Sequence, residues 1–229
     1  MLEKVRKVLP WVGLAGLVSG AYWALLWAPP AWDMSDVQRI FYIHLPCMFM
    51  ALSLLTINFV AAVTYLLKPS WGADAMAEAS AEVGLMFGLL GTTLGSIWGR
   101  PTWGVYWSWD PRLTTVAILL VAYAGYLALR KFIEDPERRA VWSSVVAIIS
   151  AVDVPIVYFS VRWWRSLHQV QSSPQTVDHN MVFAFRWQAF AVLFLTIWFV
   201  WTRYRLARVR LAREVALPPE LPPAVPAGA

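Results

Sequence analysis

The chain is short of the residues that most enzyme chemistries need. Of its 229 residues one is cysteine, three are histidine, and only 14% are charged. A lone Cys47 excludes an internal disulfide framework, a CxxC redox pair and a CxxCH haem-attachment motif. The protein is therefore neither a thiol oxidoreductase nor a c-type cytochrome. There is no Walker motif, Gly-rich phosphate loop, HExxH or serine nucleophile elbow, so any ATP-driven step belongs to another subunit.

The scarcity of charge decides the class. A soluble domain carries about 25% charged residues, whereas here 59% are hydrophobic and fifteen are tryptophan. The composition is that of an all-α integral membrane protein. A net charge of +5 would suit nucleic acid, but the basic residues cluster at the ends of apolar segments. Such clustering reports topology, and no nucleic-acid partner is expected.

Six apolar stretches are long enough to cross a bilayer: 8–27, 43–67, 83–98, 113–130, 141–161 and 184–203. The N-terminus is basic, as in a signal peptide. Its apolar run is nonetheless spanning length and lacks an A-x-A cleavage site, so it reads as a retained first span. Polar or Pro-rich connections separate the spans: APPAWDMSD, KPSWGADAMAEAS, the 98–112 run, RKFIEDPERR and RWWRSLHQVQSSPQTVDHN. The membrane domain is expected over 1–213. A Pro-rich, disordered cytoplasmic tail is expected over 214–229.

With both termini cytoplasmic, thirteen of the nineteen Lys and Arg residues fall inside and six outside, as the positive-inside rule prefers. The weak point is 68–82, where Asp74, Glu78 and Glu82 outnumber Lys68. Acidic residues contribute little to the rule, so the orientation stands. It puts ten tryptophans outside and five inside, an excess that interfacial anchoring alone does not require.

Four of the ten lie in one stretch, WGRPTWGVYWSWDPR, residues 98–112. Gly99, Pro101, Gly104 and Pro111 break it too often for an ordinary membrane helix. Trp98, Trp103, Trp107 and Trp109 with Tyr106 are too aromatic for an ordinary solvated loop. The expectation is a flat aromatic surface between the third and fourth spans. Arg100 and Arg112 would pair with carboxylates at its edge, and Asp110 would orient an Arg or a Trp N–H.

All three histidines fall on the same outer side. His44 starts the second span, His168 follows the fifth, and His179 reads as a solvated loop residue. Two neutral imidazoles above an aromatic floor suit a porphyrin iron. Residue types alone leave open a second reading, in which His44 and His168 merely cap helix ends.

Asp153 lies within the fifth span, where an ionisable group costs about 2.5–3.5 kcal/mol and calls for a partner or a function. Pro155 beside it would kink that span. Cys47, one turn beyond His44, reads as a small buried apolar residue or as a neighbour of the same pocket. Gly84, Gly88, Gly91 and Gly95 share one face of the third span and indicate close helix packing. Gly16 and Gly20 in the first span indicate the same.

The run WGRPTWGVYWSWDPRLT resembles the tryptophan-rich WWD signature of the haem-handling membrane proteins of cytochrome c biogenesis. FYIHLP and VRWWRSLHQ resemble that family's paired outer histidine regions. Six spans and this length resemble its small members, the haem exporter or haem-delivery proteins C (the CcmC family). The likeness runs from about Phe41 to Gln169. It implies haem b bound outside on Trp98, Trp103, Trp107 and Trp109, with Gly104, Tyr106 and Asp110 beside them and Arg100 and Arg112 at the propionates. His44 and His168 are the implied axial ligands, with Asp153 and Cys47 as possible neighbours. It implies delivery to a periplasmic haem chaperone in a bacterial inner membrane. The implied complex adds an ABC transporter ATPase, a permease and a small membrane subunit. The rival readings are an ABC-type subunit moving haem across the bilayer and a structural scaffold of that complex.

Overall fold

The computed structural model describes residues 2–31, 34–168 and 177–216. Trp32, Gln169 and the tail from 217 lie outside the described residues. Among the described residues six helices are long and apolar enough to cross a membrane: Glu3–Trp27, Asp36–Leu67, Trp71–Trp103, Pro111–Phe132, Pro136–Trp163 and His179–Ala216. The protein is an all-helical, multi-pass membrane protein. Among the described residues the one extended pairing is an isolated bridge between Ala31 and Ser35.

Seven α-helices make the six spans. Helix α1 (Leu2–Tyr22) widens into a π turn at Trp23–Trp27, and a 3₁₀ turn at Asp36–Ile40 leads into α2 (Phe41–Leu67). Arg39 joins them, donating to the carbonyls of Ala24 (2.5 Å) and Ala28 (3.1 Å). Then come α3 (Trp71–Trp103), α4 (Pro111–Phe132), α5 (Pro136–Ala151), α6 (Asp153–Trp163) and α7 (His179–Ala216). The α2–α3 pair is the most extensively packed, α7 lies against both, and α1 leans chiefly on α7.

The glycine faces supply this close packing. A Cβ at Gly84 would lie 2.8 Å from Leu55, one at Gly88 2.8 Å from Leu120, and one at Gly16 2.9 Å from Ala191. The interior is built from Leu55, Ala62, Val116, Tyr123, Tyr126 and Val157 on one side of α2. On the other side it is Cys47, Ala51, Leu54, Phe87 and Val192.

Three expectations are corrected. Residues 71–82 are not a loop: α3 begins at Trp71, and the connection from α2 shrinks to 68–70. Ala73, Ala75, Ala77, Ala79 and Ala81 alternate there with Asp74, Met76, Glu78, Ser80 and Glu82. Alanine is the strongest helix former, although it adds little to a hydropathy sum. Second, the Trp-rich run is half helix. Gly99 and Pro101 sit inside the last turns of α3, and the helix ends only at Gly104, whose φ of 81° is the left-handed cap glycine accepts without strain. Third, the fifth span is two helices. Pro155 lacks the N–H that would bond Ala151, and the chain breaks at Val152, whose N–H turns to the Ile149 carbonyl (3.3 Å).

The acidic residues of 71–82 have a structural use. Arg130 of α4 grips Asp74 at 2.7 and 2.9 Å and Glu78 at 3.0 Å, and donates to Ser143 of α5 at 2.7 Å. Arg210 of α7 also pairs with Glu78, and Arg139 of α5 pairs with Glu214. Glu214 belongs to α7, which runs to Ala216, past the expected start of the tail. Four helices are thus tied at one end by an interior ionic network. Asp153 is therefore not the only charge within the helices.

Candidate functional site

The other end of the bundle collects the aromatic and imidazole groups. Asp74 and Trp98 are 24 residues apart on α3, a rise of about 36 Å at 1.5 Å per residue. The starts of α2, α4 and α7 and the ends of α1, α3 and α6 share the end that carries Trp98.

His44 sits one turn into α2, half-buried against the glycine face of α3. Its Nδ1 is 2.8 Å from the carbonyl of Gly91. A carbonyl only accepts, so Nδ1 carries the proton and Nε2 keeps the lone pair. The ring fits because Gly95 has no side chain, since a Cβ there would meet His44 Cε1 at 2.8 Å. Trp98 stands edge-on to the imidazole, with centroids 5.8 Å apart.

His168 reaches the same end of α3 from the opposite direction in the chain. Its ring meets Trp103 edge-on at 4.7 Å. Asp110 holds it there. One carboxylate oxygen caps α4 by accepting from the Leu113 N–H at 3.0 Å. The other accepts from the Ser166 hydroxyl and from the Leu167 N–H (3.1 Å), and lies 3.5 Å from His168 Nδ1. Ser166 Oγ in turn accepts the His168 backbone N–H at 3.1 Å. Burial opposes the charge on Asp110. The hydrogen bonds from Ser166 and Leu113 outweigh it and hold the carboxyl below its usual range. Burial, then the charge of Arg112, pushes His168 down to about 4, so the imidazole is unprotonated at neutral pH and able to ligate.

The remaining predicted residues divide. Arg100 bonds the Gly104 carbonyl and lies 5.9 Å over the Tyr106 ring, so it shapes the turn after α3. The Arg112 guanidinium has no hydrogen-bonded or ion-paired partner among the described residues, and its charge reaches His168. Asp110 orients the serine and histidine rather than an Arg or a Trp N–H. Trp107 and Trp109 meet edge-on at 5.5 Å. Trp109 is 74% and Tyr106 61% exposed, an open aromatic surface rather than an enclosed slot. His179 is the first residue of α7 and exposed, not part of a loop. Cys47 is buried in the α2–α3–α7 interior. Asp153 has one buried carboxylate oxygen with no partner among the described residues. Other rings form separate groups: Trp23, Trp27, Phe183 and Trp187 pack on one another, and Trp163 stacks on Phe159.

Sequence reasoning missed Ser166 and the Gly91 carbonyl. Neither carried a signal: the serine is a small polar residue beside charge, and the carbonyl belongs to a glycine already assigned to packing.

The donor set fits a metalloporphyrin on its own chemistry. Two imidazoles each direct Nδ1 at an oxygen, which leaves Nε2 for a metal. The indole N–H groups of Trp98 and Trp107 and the hydroxyls of Thr92 and Ser108 are buried without a partner among the described residues at this end. Fold and site together define a six-span membrane protein with two candidate ligating imidazoles gathered at one end of the bundle. A family model described as Heme exporter protein C matches residues 1–216. The Heme exporter protein C of Bradyrhizobium diazoefficiens is 34% identical over 219 residues, covering 92% of this chain and 83% of the relative. That of Paracoccus denitrificans is 31% identical over 219 residues, 91% and 90% of the two chains. That of Escherichia coli K12 is 32% identical over 192 residues, 82% and 78%. The chain belongs to the Heme exporter protein C (CcmC) family.

Proposed function

We propose that this protein binds haem b at the outer end of its bundle and hands it to a periplasmic haem chaperone during c-type cytochrome assembly. Haem is its cargo. The observation that carries the reading is the pairing of two imidazoles, each with Nδ1 facing an oxygen, against Trp98 and Trp103 of one helix end. His44 and His168 ligate the iron through Nε2. Trp103, Trp107 and Trp109 with Tyr106 cover the porphyrin face. Arg112, whose guanidinium has no ion-pair or hydrogen-bond partner among the described residues while Arg100 is engaged, takes a propionate. Gly104 keeps the turn open, and a Cβ built there meets nothing within 4 Å. Bis-imidazole ligation favours low-spin ferric iron.

The orientation rests on the positive-inside rule: the basic ends of α4 and α7 face the cytoplasm and the aromatic end faces the periplasm. An ABC ATPase, a permease and a small membrane subunit would complete the assembly in the inner membrane. Gathering of the ligating groups at one end favours presentation over conduction through the bundle.

Transfer is the test. Haem-loaded protein mixed with the soluble chaperone should pass haem to it. Replacing Trp107 and Trp109 together with alanine should lower haem retained per protein by about tenfold, because the porphyrin face would be stripped of its indole cover. Full loading and full transfer by that double variant would remove the aromatic surface from the account.

A further inference from the structure

The two histidines are held in different ways. His44 is part of a 27-residue helix and is pressed into a glycine notch of its neighbour. His168 belongs to the non-helical residues 164–168 that follow the end of α6 at Trp163. Among the described residues, every hydrogen bond from 165–168 to another element ends on a single atom, Asp110 Oδ2. That oxygen receives the Ser166 hydroxyl and the Leu167 N–H, and His168 Nδ1 stands 3.5 Å from it. The His168 backbone is tied back to the same serine. Asp110 in turn is fixed by capping α4 through its other oxygen.

We infer that Asp110 and Ser166 are positioning residues that form a latch for His168, making His44 the fixed ligand and His168 the detachable one. The assignment rests on the haem-binding reading above. The latch orients the ring by its Nδ1 side, presents Nε2 beside Trp103, and can open without disturbing the helices. Opening it would free one side of the iron while His44 keeps hold of the other. A carrier that must retain its cargo and then surrender it needs that asymmetry.

The test uses the full-length protein with and without haem. Asp110→Asn removes the charge but keeps a good helix cap, so α4 is preserved. Ser166→Ala removes the hydroxyl, and Ser166→Thr restores one. In the haem-free protein, hydrogen exchange of the Leu167 and His168 amides should accelerate by about tenfold or more in Asp110→Asn and Ser166→Ala. The amides of α2 should stay as in wild type. In the loaded protein, both variants should shift the ferric spectrum from low spin toward the high-spin form of His168→Ala, and Ser166→Thr should restore it. Unchanged exchange and an unchanged low-spin spectrum in Asp110→Asn would overturn the latch while leaving haem binding intact. A wild type that binds no haem would sink the functional reading instead, and the exchange measurement would still decide whether the latch exists.

Discussion

Arg130→Met should destabilise the protein by about 3–5 kcal/mol, the cost of leaving a buried charge without its partner. Asp74 is 1% exposed, and its described hydrogen bonds from other side chains both come from Arg130. Glu78 would retain Arg210, and Ser143 would retain the Arg139 carbonyl, so the stranded group is Asp74. For a chain of this size the loss corresponds to a fall of roughly 6–20 °C in the unfolding midpoint, readable by thermal unfolding in one detergent. Converting Asp74 as well, in Arg130→Met with Asp74→Leu, should recover much of the loss, because the desolvation of both charges disappears with their attraction. A midpoint within a degree of wild type in the single variant would show that water reaches Asp74. The network would then be a surface feature.

Gly95→Ala should abolish the His44 contribution to the site while leaving the fold intact. The new methyl would stand 2.8 Å from His44 Cε1 and 3.2 Å from Nδ1, too close for the ring to stay on the Gly91 carbonyl. Displacing such a supporting interaction lowers metal affinity by about 10–100-fold. Alanine is a better helix former than glycine by about 1 kcal/mol, so α3 itself should not suffer. Gly125→Ala is the control: a Cβ there meets nothing within 4 Å, and both haem content and stability should hold or improve. Haem titration of the two variants separates the outcomes. Equal affinity in Gly95→Ala and wild type would mean that His44 is not placed by this notch.

The spans were legible because hydropathy reports on lipid contact. The spanning helices begin ahead of their apolar stretches, through polar turns that hydropathy discounts. What was illegible had physical causes. Asp74, Glu78 and Arg130 look like loop charges one at a time, and only the packing of α3 against α4 and α5 makes them a network. The Trp-rich run is dense in helix breakers, yet Pro101 lies in a final turn and Gly104, not Gly99, ends α3. At the site, His44, His168, Trp98 and Trp103 were picked out by residue type and are brought to one helix end. Arg100 and Arg112 looked equivalent in sequence and differ in space, because a turn carbonyl and a tyrosine ring occupy one and not the other. Asp110 faces Ser166 and His168 rather than the arginine or indole expected from the sequence, because only the fold brings residues 166–168 against the start of α4.

The central claim is the outer two-histidine site, and the ferric absorption and electron paramagnetic resonance spectra of detergent-purified protein test it most directly. Wild type should show low-spin haem, and His44→Ala and His168→Ala should each lose that signal and weaken binding. Low-spin spectra identical to wild type in both variants would mean that neither histidine ligates the iron.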